Sequence, residues 1–289
     1  MTSLLSGLRR GITSRRALVS ALCVTLFATL SPVLSAQDGT VAKRWGPTEV
    51  ASAEGHRVDD LFMLITTLIS VSFVIVLIML LTPVIKHRAV NGRKAHYDQG
   101  SSLHDKRFTA IISVVVFLVL DAWVLIIAMR DLREVVYNFP STDSGAYRVE
   151  VAAQQWSWNF RVAGPDGEFG TADDIVTINE LHVPNNTPVA FNLTSKDVIH
   201  SLFLPDMRIK RDANPGAINR VWFTPAKTGT YDILCAELCG VAHYQMHGTL
   251  VVHDEVSDFP AWLEEAGRIA AYSYDEDDTE AQWAWEWKE

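Results

Sequence analysis

YRVEVAAQQWSWNFRV, residues 147–162, is the run on which the fold class turns. Apolar and polar residues alternate along it, and a period of two is that of a strand buried on one face. Two strands are read here, at 147–153 and 156–162, and alternation places Trp156 and Trp158 on one face of the second. Further runs of the same kind follow at 175–178, 189–193, 199–204, 219–223, 230–234 and 249–252, divided by Gly, Pro, Asn and Asp. So many short strands within 145–255 predict a Greek-key β-sandwich or barrel. A helical period returns only at 259–272.

Towards the N-terminus the composition changes. Residues 61–81 are apolar except for Thr and Ser, and stop at Thr82-Pro83; residues 108–129 repeat the pattern, with Asp121 as the one acid. Each run reaches the roughly 20 residues a membrane span needs, so a transmembrane helical hairpin is expected over 61–130, with spans at 61–85 and 108–130. The loop between them carries Lys86, Arg88, Arg93, Lys94, Lys106 and Arg107, which places it in the cytoplasm and everything after Arg130 outside. Asp121 either faces a partner subunit or is hydrated near the outer interface.

Residues 1–36 read as a secretory signal peptide: Arg9, Arg10, Arg15 and Arg16 precede a short apolar run, and small residues Ser35 and Ala36 offer a cleavage site. A third membrane helix is the alternative, but its apolar run is only about two-thirds of a span. Residues 37–60 are then an extracytoplasmic segment. The formal charge of -9 is unevenly spread: beyond Asp131, acids outnumber Lys and Arg by more than two to one. That balance excludes a nucleic-acid binder on electrostatic grounds.

The chemistry lies in Cys235-Ala-Glu237-Leu-Cys239-Gly-Val-Ala-His243-Tyr-Gln-Met246, with His200 well upstream. Two cysteines in an exported domain are by default a disulfide. Two Cys and two His also make a zinc site, but neither alternative employs Met246. Soft sulfur combined with imidazole favours copper over Mg or Ca.

This block resembles the copper A signature of cytochrome c oxidase subunit II, in which Val-x-His is followed some three dozen residues later by Cys-x-x-x-Cys-x-x-x-His-x-x-Met. Here Val198-Ile-His200 and each downstream position match, and the resemblance extends over about 57–254. It implies a two-helix anchor in the cell (inner) membrane and a cupredoxin-like domain on the extracytoplasmic side. It further implies a dinuclear copper A centre with Cys235 and Cys239 as bridging thiolates and His200 and His243 as terminal imidazoles. Met246 sulfur and the Glu237 carbonyl complete the set, and the Glu237 carboxylate reaches a Mg ion shared with subunit I. The implied function is to accept electrons from cytochrome c and pass them to haem in subunit I, where dioxygen is reduced to water coupled to proton translocation. The implied partners are subunit I, other oxidase subunits, cytochrome c and membrane lipid.

Gln155-Trp156-Ser-Trp158 resembles the family's aromatic stretch, whose first Trp receives the electron; Trp156 takes that role here, or else both indoles pack the sandwich. His243 lies on the exit side, and Asp197 occupies a place where the family carries docking acids. Asp212-Ala-Asn-Pro215-Gly216 resembles the family's loop against subunit I. The family's proton-channel Glu and its Trp-Pro are missing from Leu103-His104-Asp105-Lys106-Arg107-Phe108, so Asp105 either substitutes or simply caps the helix.

Two segments stand outside these motifs. The acidic, Gly-rich stretch 164–174 offers Asp166, Asp173 and Asp174 to calcium but lacks calcium-loop spacing, and a solvated turn is expected. The tail 275–289, with Trp283, Trp285 and Trp287, reads as disordered or partner-binding. A nitrous oxide reductase electron-transfer domain shares these copper ligands, and a membrane-anchored copper-binding assembly module is a third reading.

Overall fold

The computed structural model describes residues 48–86, 88, 94, 99–100, 102–141, 144–275 and 277. The segment 1–36 expected to be a signal peptide and the Trp283–Trp285–Trp287 tail lie outside them.

Two long helices come first, α1 (Gly55–Lys86) and α2 (Leu103–Tyr137), both apolar enough to cross a membrane. In α1 the hydroxyls of Thr67, Ser70 and Thr82 donate to the carbonyls of Met63, Thr66 and Ile78 at 2.6–2.8 Å, so these polar groups are satisfied within the helix. The helix does not stop at Pro83 but runs one turn on to Lys86. Ser102 caps the start of α2: its hydroxyl oxygen accepts the Asp105 N–H at 3.1 Å and its hydroxyl donates to the Asp105 carboxylate. α2 widens to π-helical geometry at Phe117–Asp121 and Arg133–Tyr137. Asp121 ends the first of these and, with Ser72 of α1, is a polar point in an otherwise apolar cavity of about 840 Å³ between the helices. Arg57 bridges the outer ends of the helices through Asp131 (3.4 Å) and Glu134 (2.6 Å).

The remainder is a sandwich of two five-stranded sheets. The strands are β1 (Tyr147–Gln154), β2 (Ser157–Val162), β3 (Ile175–Ile178), β4 (Glu180–Pro184), β5 (Val189–Ser195), β6 (His200–Leu204), β7 (Ile209–Ala213), β8 (Asn219–Phe223), β9 (Gly229–Cys235) and β10 (His247–His253). One sheet has the order β3-β2-β1-β5-β8 and the other β4-β10-β9-β6-β7. β1 pairs in parallel with β5 and β4 with β10, and the other pairings are antiparallel. Trp158, Phe160, Phe191, Phe223, Leu202 and Leu250 are fully buried between the layers. Together with the hairpin, this is the membrane-anchored, cupredoxin-like architecture expected.

Three expectations are corrected. Trp156 is not in a strand: Gln154 pairs with Ser157, so Gln155 and Trp156 form the hairpin turn. β4 and β7 are strands that the patterning does not show. β7 exposes Lys210, Arg211 and Asp212 and buries only its end residues, as an edge strand can. β4 is five residues ending in proline. The terminal helix α3 (Phe259–Ala270) ends before Tyr272 in a 3₁₀ turn, Ala271–Ser273.

The segment before the hairpin, expected to be extracytoplasmic, is woven into the sandwich. Ala51 and Ser52 are buried. Ala51 donates to Asp206 O at 2.8 Å, Ala226 donates to Ala51 O at 2.7 Å, and the Glu54 carboxylate accepts from Thr224 N and Oγ1 at 2.9 and 3.0 Å. Arg208 then grips Asp59 of α1 with two bonds of 2.7 and 2.9 Å. The copper-side domain and the membrane anchor are thus joined by paired groups as well as by the chain.

The acidic insertion is the solvated turn expected, with residues 165–168 and 170 exposed, but its acids also tie it down over the sheet. Asp166 accepts Glu168 N–H (2.8 Å), Asp173 accepts the Thr171 hydroxyl (2.8 Å), and Asp174, 5% exposed, accepts Gly170 N–H (2.7 Å). Beneath it Arg161 pairs with Glu150 at 2.6 Å and faces Asp174 at 3.8 Å. Burial pushes the Asp174 carboxyl up to about 6, against the lowering pull of Gly170 N–H and Arg161. An unfolded carboxyl titrates near about 3.9. The raised folded value means that stability from this group is full below about pH 4 and is lost as pH rises towards 6. Asp174→Asn is therefore expected to raise the melting temperature of the detergent-solubilised chain by several degrees at pH 7.5 and to leave it unchanged at pH 4. An equal gain at both pH values would contradict the assignment.

Candidate metal centre

Three strand ends converge on one spot. His200 opens β6, Cys235 closes β9 directly beside Leu202 of β6, and the 236–246 loop returns through a 3₁₀ turn at His243–Gln245 into β10. The loop is pinned at its start by Ala236 N–H on Ser201 O, at 2.9 Å. Strand register, not chain proximity, therefore brings His200 to the cysteines.

The donor atoms form one cluster. Cys235 Sγ and Cys239 Sγ lie 3.7 Å apart, His243 Nδ1 is 3.5 Å from Cys239 Sγ, and His200 Nδ1 is 4.0 Å from Cys235 Sγ. Met246 Sδ is 3.1 Å from His200 Nδ1 and 3.8 Å from Cys239 Sγ, and Glu237 O is 3.3 Å from Cys235 Sγ. His200, Met246 and Cys239 are buried, Cys235 and His243 half-buried, and the Glu237 side chain is exposed. Among the described residues, the only His/Cys/Asp/Glu group of three or more able to converge on one ion is His200–Cys235–Cys239. Asp166, Asp173 and Asp174 do not form one.

The cysteines are free thiols. Their separation far exceeds the roughly 2.05 Å of a disulfide, yet is below twice a metal–thiolate bond of about 2.3 Å. One ion can therefore touch both sulfurs, with an imidazole nitrogen on either flank, and soft sulfur plus imidazole fits copper. Hydrogen bonds from His200 and from the Ser201 backbone outweigh burial and lower the Cys235 thiol to about 6; burial and the neighbouring Cys235 thiolate raise Cys239.

Residues around the donors hold them in place. His200 Nε2 meets Asp197 Oδ1 at 2.9 Å, which leaves Nδ1 facing the sulfurs. Asp197 also accepts N–H bonds from Gln155 (2.7 Å) and Val198 (2.6 Å), so the carboxylate read as a docking acid is engaged with the site. Gln155 Nε2 donates to Cys239 O at 2.7 Å. Gly240, at φ +127°, lies so close to the turn that an added Cβ would be 2.9 Å from Gln155 Nε2 and 3.0 Å from the Trp156 ring. Trp156 is half-buried against this loop, whereas Trp158 is fully buried, edge-on to His200 with ring centres 6.2 Å apart. Sequence reasoning missed Gln155 and Gly240; a polar residue in a turn and a glycine in a loop are ordinary until the two loops are seen to touch.

Comparison with known proteins bears on the family. Residues 159–254 match the family described as cytochrome C oxidase subunit II, periplasmic domain. The alternative cytochrome c oxidase subunit 2 of Bradyrhizobium diazoefficiens is 33% identical over 252 residues, 79% of this chain and 87% of that protein. Cytochrome c oxidase subunit 2 of Thermostichus vulcanus is 38% identical over 122 residues, covering 42% of this chain and 34% of the relative. Among solved structures, the periplasmic domain of subunit II of cytochrome oxidase from Bradyrhizobium japonicum aligns with 46% of this chain and 99% of its own, at 30% identity and a TM-score of 0.39.

Proposed function

This chain belongs to the cytochrome c oxidase subunit II family, and from that premise we propose that its exported domain accepts electrons from cytochrome c at a dinuclear copper A centre and delivers them to haem in subunit I. It is a membrane-anchored subunit with an extracytoplasmic copper-binding domain. The observation that carries the proposal is the pair of unjoined thiols 3.7 Å apart with an imidazole Nδ1 beside each. Cys235 and Cys239 would bridge, His200 and His243 would end the pair, and Met246 Sδ and Glu237 O would complete it. A copper pair held by these residues would supply electron storage spread over two metals, with little rearrangement on reduction.

The chain's own contribution is rigidity and access. The ligand-bearing strand ends are fixed by backbone pairing, and Asp197 fixes the His200 ring, so little reorganisation accompanies a change of charge. Exposed Leu238, Val241 and Tyr244 flank the ligands and offer apolar contact to a partner. In this reading Trp156, wedged against Gly240, receives the electron, His243 passes it towards subunit I, and the exposed Glu237 carboxylate would share a Mg ion with that subunit. Subunit I carries the dioxygen chemistry and proton translocation.

Metal analysis of the purified complex is the test. Two coppers per chain and the hyperfine pattern of one electron shared by both support the proposal; a single copper, or a Cys235–Cys239 disulfide in the metallated complex, overturns it. A second expectation follows from charge. Cytochrome c is commonly basic and this domain acidic, so turnover should fall steeply as ionic strength rises from about 0.01 to 0.15 M, where the screening length shrinks from about 30 to 8 Å. Turnover insensitive to salt would exclude electrostatic docking.

A further inference from the structure

The exported domain is acidic, yet one hollow in its surface is basic. β1 and β8 flank β5 on one sheet, with Arg148 beside Ala190 and Arg220 beside Asn192. Strand spacing sets the two arginine backbones roughly 10 Å apart across the sheet, and Ala190 between them leaves room. Phe139 and Ser141, from the link that follows α2, close one end, making a cavity of about 280 Å³.

Both guanidiniums are held but not neutralised. Arg148 lies over the Phe169 ring at 5.0 Å and donates one N–H to Gly167 O, and Arg220 lies over Phe139 at 5.7 Å. Among the described residues neither has a carboxylate in ion-pair range, unlike Arg161, which is enclosed by Glu150 and Asp174. Stacking occupies the face of a guanidinium and leaves its in-plane donors available. Two such forks with the Asn192 amide suit a tetrahedral oxyanion. The apolar run of α2 ends at Met129, the helix ends at Tyr137 and the cavity begins at Phe139, so about 20 Å of chain at most separates it from the hydrocarbon edge. Arginine stems can bridge part of that gap towards the headgroups.

We propose that this cavity binds the phosphate of an anionic phospholipid from the outer face of the membrane, with Arg148 and Arg220 as its ligands. A zwitterionic headgroup would bring an ammonium towards two guanidiniums, so an anionic one is selected. The inference needs the membrane anchor but not the copper centre, so either can fail without the other.

The test uses the purified, delipidated complex and three probes: short-chain phosphatidylglycerol, short-chain phosphatidylcholine and inorganic phosphate, followed by calorimetry. Phosphatidylglycerol should bind most tightly, and R148Q/R220Q should weaken it at least tenfold with the copper spectrum unchanged. Arg220→Gln alone, at an exposed position, should weaken it measurably and guards against a folding defect in the double variant. Equal affinity in wild type and variants overturns the proposal. So does inorganic phosphate binding as tightly as the lipid, which would mark a free-phosphate site, and so does loss of another subunit from the variants with lipid binding intact, which would mark a protein carboxylate as the occupant.

Discussion

Cys235→Ser should eliminate cytochrome c turnover while the chain still inserts and folds. Serine differs from cysteine by one atom, and Cys235 ends β9 in a half-buried position, so the exchange leaves no void. What it removes is the sulfur 3.7 Å from Cys239 and 3.3 Å from Glu237 O. A hydroxyl does not ionise near neutrality and is a hard ligand, so neither thiolate bridging nor soft coordination survives. Loss of a partner that only supports a ligand commonly costs 10–100-fold in metal affinity or activity, so loss of a bridging ligand should exceed about 100-fold in turnover. Copper per chain, the near-infrared band and the amount of chain in the membrane fraction read the three consequences separately. Full copper content with unchanged turnover would remove Cys235 from the ligand set.

Arg161→Ala should be the most damaging single substitution away from the metal. The Arg161 side chain is 7% exposed and binds Glu150, itself 12% exposed, at 2.6 Å, with Asp174 on its other side at 3.8 Å. Removing the cation leaves Glu150 and Asp174 buried and unopposed, an error that costs about 3–5 kcal/mol. Set against the 5–15 kcal/mol that is typical of a whole domain, such a loss empties much of the folded population at growth temperature. The chain should reach the membrane in reduced amount and melt many degrees lower. Arg161→Met combined with Glu150→Leu and Asp174→Asn should recover most of the loss, because replacing a buried ionic cluster by uncharged groups of similar volume is often neutral. A single variant as stable as wild type would show that water reaches these groups despite the roof formed by the insertion.

Much of this was legible from residue order because the signals are local. The apolar lengths of the two helices, the alternation within most strands and the spacing from Cys235 to Met246 each lie within one continuous run, where a period or a count suffices. Where local signal was weak the reading slipped. β7 has Lys210, Arg211 and Asp212 on its exposed stretch and no alternation to find, and Trp156 was assigned to a strand because a two-residue turn between polar neighbours carries no Gly or Pro.

The sequence alone settled what kind of molecule this is: a hairpin anchor, an exported β-domain and a sulfur–imidazole ligand set. These follow from hydrophobic length, strand period and donor chemistry, all properties of neighbours in the chain. Tertiary structure decided which distant groups meet. It set Asp197 on His200, laid the Gly240 loop against Trp156, closed the insertion over Arg161, wove Ala51 and Ser52 into the sandwich, and gathered Arg148 and Arg220 around one hollow. Such meetings depend on strand register and sheet order, and a single-residue shift in register would turn the strand residues His200, Arg148, Arg161 and Arg220 to the opposite face.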